Sequence, residues 1–387
     1  MTAGQQVSSR DRHLFGPGPK RVLALDGGGV RGILSVAMLE KLEKVIEQIE
    51  GRSVLLGDWF DLIGGTSTGA IIAGLLALGY RAADVRELYE KMVPRVFKAS
   101  RWRLAGFRSK FDSRNLETVL TEVFRDRTIG SEEVRTGLCV TTKRLDTGSA
   151  WIIANNPRSM YWDTPSDNSF TGNRHYRLAN LIRASTAAPH YFEPQRIEIA
   201  PNTPPGLFID GGVSPNNNPS LHMFLIATLP QYGLCWPTGP DNLTIVSMGT
   251  GSFRFRMNPN VPALARYVGM TIQALASQIS DSQQLVLAMM SLFGETPMAW
   301  PINSELGDLG ATPAPGGRPL FRFLRYDVRL EQAWLRNELG LSIEEPKLTE
   351  LQQLDAADAL AQFYDLGVRA AERQIQPAHF AAPLPRS

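Results

Sequence analysis

The sequence predicts an α/β protein with a mostly parallel central sheet. Two observations carry that expectation. Short apolar runs pass directly into glycine-marked bends at three places: residues 21–25 into Asp26-Gly27-Gly28-Gly29, residues 59–63 into Gly65-Thr66-Ser67-Thr68-Gly69, and residues 206–209 into Asp210-Gly211-Gly212. Patterns with helical spacing follow the first two bends, and a strand leading into a helix is the unit from which parallel sheets are built. Such sheets collect functional groups at the carboxyl ends of their strands, and all three bends are placed as such ends.

In chain order, residues 1–18 are polar, close on Gly16-Pro17-Gly18 and read as a flexible arm. After the strand at 21–25 comes a helix over 33–49, with Leu39, Leu42, Val45, Ile46 and Ile49 on one face and Glu40 and Lys44 paired on the other. The loop between them supports two chemistries. Gly27, Gly29 and Gly32 satisfy a dinucleotide fingerprint, which also needs an acidic residue about twenty positions on; Glu47 and Glu50 fall on or just after the helix and Asp58 comes late. The other chemistry is stabilisation of an oxyanion by bare backbone amides at a helix N-terminus, which gives Ser67 a partner.

Ser67 stands on a bend between two apolar runs, flanked by glycines, as in a nucleophile elbow. The pattern is weak by itself in a chain with 34 glycines, and a glycine-flanked helix N-cap would look the same. A charged helix over 80–92 follows. From 91 to 111 there are seven basic residues and no acidic one (Lys91, Arg95, Lys98, Arg101, Arg103, Arg108, Lys110), interleaved with Phe97, Trp102, Phe107 and Phe111. That composition suits a membrane interface and equally a solvated loop packing a few rings on the domain.

Strands are expected at 138–142 and 151–154 and a small-residue helix over 176–188, stopped by Pro189. After the strand at 206–209, Asp210 is the one carboxylate placed as a partner for Ser67, although an aspartate before two glycines is also an ordinary turn residue. Another strand at 242–247 leaves into Gly249-Thr250-Gly251. The long apolar stretch 261–293 reads as a core or interface helix, with a lid or acyl-chain wall as the other reading. A last strand at 321–330 and terminal helices over 348–375 complete the chain.

With 387 residues and a net charge of +2, the chain is ample for one large domain and too weakly basic for a nucleic-acid polymer as partner. Cys139 and Cys235 lack metal or disulfide-framework spacing, which fits a reduced cytoplasmic setting. The longest apolar run, 70–79, is too short to cross a bilayer. Peripheral contact with the inner face of the membrane is the most that is expected.

Taken together, the glycine loop, the Gly65–Gly69 bend, Ala184-Ser185-Thr186-Ala187-Ala188-Pro189 with Tyr191-Phe192, Asp210-Gly211-Gly212 through Asn217-Asn218-Pro219, and Gly249-Thr250-Gly251 resemble the patatin-like phospholipase family. The resemblance covers about residues 19–330. It implies a three-layer α/β/α fold, with an acyl hydrolase domain over 19–335 and a C-terminal helical extension and tail over 336–387. It further implies hydrolysis of fatty-acyl esters of membrane phospholipids by a Ser-Asp dyad, with no metal or cofactor. By position, Ser67 would be the nucleophile, Asp210 its base, and Gly27, Gly28, Gly29 and Arg31 the oxyanion hole. Some bacterial members are antiviral effectors opened by a cyclic nucleotide, so the partners to expect are phospholipid, such an activator and further copies of the chain. Two alternatives stay open: a Ser67-Asp210-His222 triad, with His190 a weaker candidate, and a catalytically silent lipid- or nucleotide-binding module.

Overall fold

Strand β1 (Lys20–Leu25) lies in the middle of the sheet, and its alternate residues show how the layers form: Leu23 and Leu25 enter one hydrophobic core, Val22 and Ala24 the other. The computed structural model describes residues 7–97, 109–254, 263–298 and 300–380, of which 263–276 by their backbone. The described strands are β1, β2 (Leu62–Thr66), β3 (Gly137–Arg144), β4 (Ala150–Ala154), β5 (Gln195–Ile197), β6 (Gly206–Asp210), β7 (Leu243–Met248), β8 (Gly294–Glu295) and β9 (Phe321–Tyr326). They form one sheet in the order β5-β6-β3-β2-β1-β7-β9-β8, with β4 paired to β3. Pairing is parallel from β3 through β8 and antiparallel among β3, β4, β5 and β6.

The helices are α1 (Ser9–Phe15), α2 (Gly32–Glu50), α3 (Leu56–Trp59), α4 (Thr68–Ala77), α5 (Ala82–Val96), α6 (Ser113–Phe124), α7 (Leu178–Ser185), α8 (Ser220–Thr228), α9 (Ala263–Phe293), α10 (Gln332–Leu339), α11 (Glu345–Leu351) and α12 (Leu360–Gln374). Residues of α2, α4, α5, α6, α7 and α12 share the first core, while α1, α8 and the described half of α9 share the second. The result is a three-layer α/β/α sandwich. Apolar patterning on both faces of β1 and β2 requires cover on both sides, which is why these strands read as continuous apolar runs.

Two expectations change. Residues 9–15 of the expected arm form α1, capped by the Ser8 hydroxyl accepting from the Asp11 amide. Leu14 is buried, its carbonyl accepts from the Trp236 indole, and His13 bonds Asp61 (3.1 Å). One leucine in a polar stretch anchors the turn, because a tryptophan from a distant loop completes its pocket. The terminal helices join the main helical layer, with Phe363 and Leu366 of α12 inside the first core.

The direction of β6 is the other change. The sequence suggested that Asp210 ends a strand running with the rest of the parallel sheet, but β6 runs antiparallel to β3, pairing only with Thr142–Arg144. β3 overruns β2, whose last residue Thr66 pairs with Thr141. The overhang lets the incoming strand end beside Thr142, at the same edge as Ser67.

Candidate active site

Ser67 follows β2 and precedes α4 with φ 56° and ψ −123°, a strained backbone for a residue with a side chain. The bend holds because the two elements touch. A Cβ on Gly65 would fall 2.1 Å from the Gly69 carbonyl oxygen, and one on Gly69 would fall 2.3 Å from that of Leu25. Ser67 N–H donates to Ser185 Oγ (2.8 Å), and Ser185 Oγ donates in turn to the Thr141 carbonyl (2.6 Å). Ser185 therefore pins the bend to β3, a role the sequence reading missed although it had singled out the segment containing it.

Ser67 Oγ donates to Asp210 Oδ2 at 2.6 Å, and Asp210 Oδ1 accepts from the Gly212 amide at 2.7 Å. Asp210 is only 5 % exposed. Burial pushes its carboxyl up to about 6, against the opposing pull of the two hydrogen bonds. A carboxylate of ordinary acidity is a poor base for a serine proton, and desolvation makes this one stronger.

The glycine loop lies over the same cavity as this pair. Of the expected oxyanion donors, the Gly27 amide is already committed to the Asn217 carbonyl (3.1 Å), while among the described residues the amides of Gly28 and Gly29 have no backbone acceptor. The Arg31 amide donates to the Gly28 carbonyl (3.2 Å) and its guanidinium to the Gln352 carbonyl (3.1 Å), so Arg31 closes the loop and lines the wall. The Thr68 amide, first in α4 and next to Ser67, also has no backbone acceptor among the described residues. Helix N-termini always leave such amides, so this donor could have been read from the elbow itself. Tyr89 ties loop to elbow, its hydroxyl bonding Thr68 Oγ1 (2.6 Å) and the Gly29 carbonyl.

The competing constellations do not assemble. His222 bonds the Tyr232 hydroxyl (3.1 Å), burial pulls its pKa down, and it is not part of the cavity wall. His190 stands on the wall but bonds neither Ser67 nor Asp210. The acids that a dinucleotide fingerprint would need are engaged elsewhere: Glu47 with Arg81, Glu50 with the Trp59 indole, Asp58 with Arg135.

Beneath the loop lies a buried ionic cluster absent from the sequence reading. Arg325 of β9 donates to Asp26 Oδ2 (2.7 Å), Asp327 Oδ2 (2.8 Å) and Ser247 Oγ (2.7 Å), and Gln283 of α9 donates to Asp26 Oδ2 (3.0 Å). Asp327 Oδ1 accepts from the Gly251 amide, and Thr250 Oγ1 donates to the Gly27 carbonyl (2.8 Å). Burial pushes Asp26 up to about 6 despite Arg325, with Asp327 adding to the rise. An arginine inside the apolar run 321–326 was the available signal, since a charge there must have partners.

The cavity has a volume of about 830 Å³. Ile71, Met92, Val96 and Leu116 form an apolar wall, and Gln283 and Leu287 of α9 stand on another, so this helix is both core and cavity wall. Of the basic segment, Arg95 pairs with Glu122 and Lys110 with Asp355, while Phe97 and Phe111 pack together. Lys98, Arg101, Trp102, Arg103, Phe107 and Arg108 lie outside the described residues. Among the described residues no cluster of His, Cys, Asp and Glu could hold a metal, and no helix is long and apolar enough to cross a membrane.

The site thus brings together a serine on a strand–helix bend, a buried carboxylate bonded to it, and amides that lack a backbone acceptor among the described residues. The profile of the patatin-like phospholipases matches residues 23–223, and the chain belongs to that family. A cGAMP-activated phospholipase of Vibrio cholerae is 28 % identical over 287 residues, covering 70 % of this chain and 76 % of its own length. A cUMP-AMP-activated phospholipase of Escherichia coli is 34 % identical over 209 residues (54 % and 59 %). Patatin-like protein 4 of Arabidopsis thaliana is 28 % identical over 249 residues (60 % and 59 %). The chain thus spans somewhat under two thirds of the plant and Escherichia coli relatives.

Proposed function

We propose that the protein is a phospholipase A-type acyl hydrolase that cleaves fatty-acyl esters of membrane phospholipids with Ser67 and Asp210. The observation that carries this reading is the 2.6 Å bond between Ser67 Oγ and a buried, basic Asp210. Ser67 Oγ attacks the ester carbonyl carbon as its proton passes to Asp210. The resulting oxyanion is held by the amides of Gly28, Gly29 and Thr68. The carbon–oxygen bond to the lysophospholipid then breaks, and the leaving alkoxide takes the proton from Asp210. Water, deprotonated by the same carboxylate, then attacks the acyl carbon; the bond to Ser67 Oγ breaks, Oγ takes the proton back from Asp210, and the fatty acid leaves.

The relatives named as cyclic-nucleotide-activated phospholipases support a cyclic nucleotide as activator of this chain and, with it, a part in antiviral defence at the cytoplasmic face of the membrane. A fluorophosphonate probe tests the chemistry. The unaltered chain is expected to label, with activator added where labelling needs it, and Ser67→Ala to neither label nor release fatty acid from vesicles while melting normally. Labelling that survives in Ser67→Ala would remove the nucleophile, and a folded chain that never labels under any activator would leave a silent binding module.

A further inference from the structure

We propose that the groove between α4, α5 and α6 is the far end of the acyl-chain site, and that Ile71, Tyr89 and Met92 set the chain length accepted. The inference rests on the reading that Ser67 becomes acylated. α4 begins at the nucleophile, and Ile71 and Leu75 follow Ser67 at four-residue steps, so they continue the line of the bend along one face of the helix. Ile71 stands on the apolar wall of the main cavity with Met92. Behind that wall lies a second cavity of about 120 Å³, reaching Leu75, Val119, Leu120 and Phe124. Ile71, Tyr89 and Met92 line both, so these side chains are the partition between the two.

The chemistry of the second space selects its occupant. Apolar side chains make most of its walls, and the two cations at its rim are both paired, Arg95 with both oxygens of Glu122 (2.8 and 3.0 Å) and Lys91 with Glu87 (3.7 Å). The Tyr89 hydroxyl is committed to Thr68 and Gly29, which leaves its ring as a fixed wall. Nothing there recognises a head group, whereas an alkyl tail needs only apolar surface. Of the three partition residues Met92 is the adaptable one, an unbranched thioether that can swing aside for a tail. Eight residues of helix advance about 12 Å, so a tail lying along α4 from Ser67 to Leu75 has room for roughly ten methylenes.

Hydrolysis of p-nitrophenyl esters from four to sixteen carbons tests this. With about 0.8 kcal/mol for each buried methylene, kcat/KM should climb about fourfold per methylene until the groove is full. Met92→Trp closes the partition and Val119→Trp fills the groove from α6; each is expected to lower the ratio of C12 to C4 turnover at least tenfold. Val119→Ala, which adds no bulk and carries the least risk to folding, is expected to raise the C16 to C12 ratio. Turnover with ratios unmoved in all three variants overturns the groove and leaves Ser67 in place. No turnover with any ester by the folded, activator-supplied chain removes the Ser67 reading, and this proposal with it.

Discussion

Arg325 and Asp26 stand 299 positions apart in the chain and meet in an ion pair of 2.7 Å, each side chain 1 % exposed. One guanidinium there serves two carboxylates, and those carboxylates belong to segments that flank the cavity: Asp26 opens the glycine loop, and Asp327 holds Gly251. Removing the cation leaves two buried acids facing each other. Arg325→Met should cost about 3–5 kcal/mol in a urea unfolding experiment. Adding Asp26→Asn should recover part of it, because one of the stranded charges disappears. Wild-type stability in Arg325→Met would mean that the cluster does not hold the loop.

Asp210 sets the expected pH behaviour. Its carboxyl is raised by burial to about 6, so turnover should fall as pH drops through 6 with the slope of one proton. The stability effect has the opposite sense. A raised carboxyl stabilises the fold while protonated, a contribution complete below the unfolded value of about 4 and lost as pH rises through 6. Asp210→Asn should therefore be inactive yet melt higher than the unaltered chain at pH 8, the gap closing by pH 4. Thermal melts at the two pH values decide it, and an equal gap at both would show that the carboxyl does not titrate in that window.

Ser185→Ala should damage the site from beneath. It removes the acceptor of the Ser67 amide and the link to Thr141. An unsatisfied buried amide costs about 1–3 kcal/mol, and a slackened bend moves Oγ from Asp210. The rate of fluorophosphonate labelling should drop about 10- to 100-fold. Labelling at the original rate would show that the elbow keeps its shape through Gly65 and Gly69 alone.

Gly28→Ala tests the amides. Its Cβ would fall 2.1 Å from Thr250 Oγ1 and 2.4 Å from Thr250 Cβ, so the loop must shift. Loss of an oxyanion donor elsewhere costs about 100- to 1,000-fold in kcat, and a loss of that size is expected in steady-state ester hydrolysis. Thr250→Gly in the same chain should return a share of it by vacating the space. Full activity in Gly28→Ala would place the donors elsewhere.

Much of the architecture was legible because its signals are local. The apolar runs of β1 and β2, the periodicity of α2 and the glycines around Ser67 each express a constraint among near neighbours. What was not legible depended on pairing. The turn α1 needed Trp236 to bury Leu14, and the polarity of β6 depended on how far β3 overruns β2. The Gly27 amide reads as free from composition and is spent on Asn217 once the loop is packed.

The amino-acid order by itself determined which side chains and backbone types were available: a serine on a tight bend, an aspartate before two glycines, a loop without Cβ atoms, two apolar faces needing cover. It did so because steric and hydrophobic constraints act along the chain over a few residues. The tertiary structure alone decided that Ser67 and Asp210 touch, that Arg325 anchors the loop from β9, and which loop amides lack a backbone acceptor among the described residues. Those outcomes depend on distances and desolvation between segments that only the closed sheet brings together.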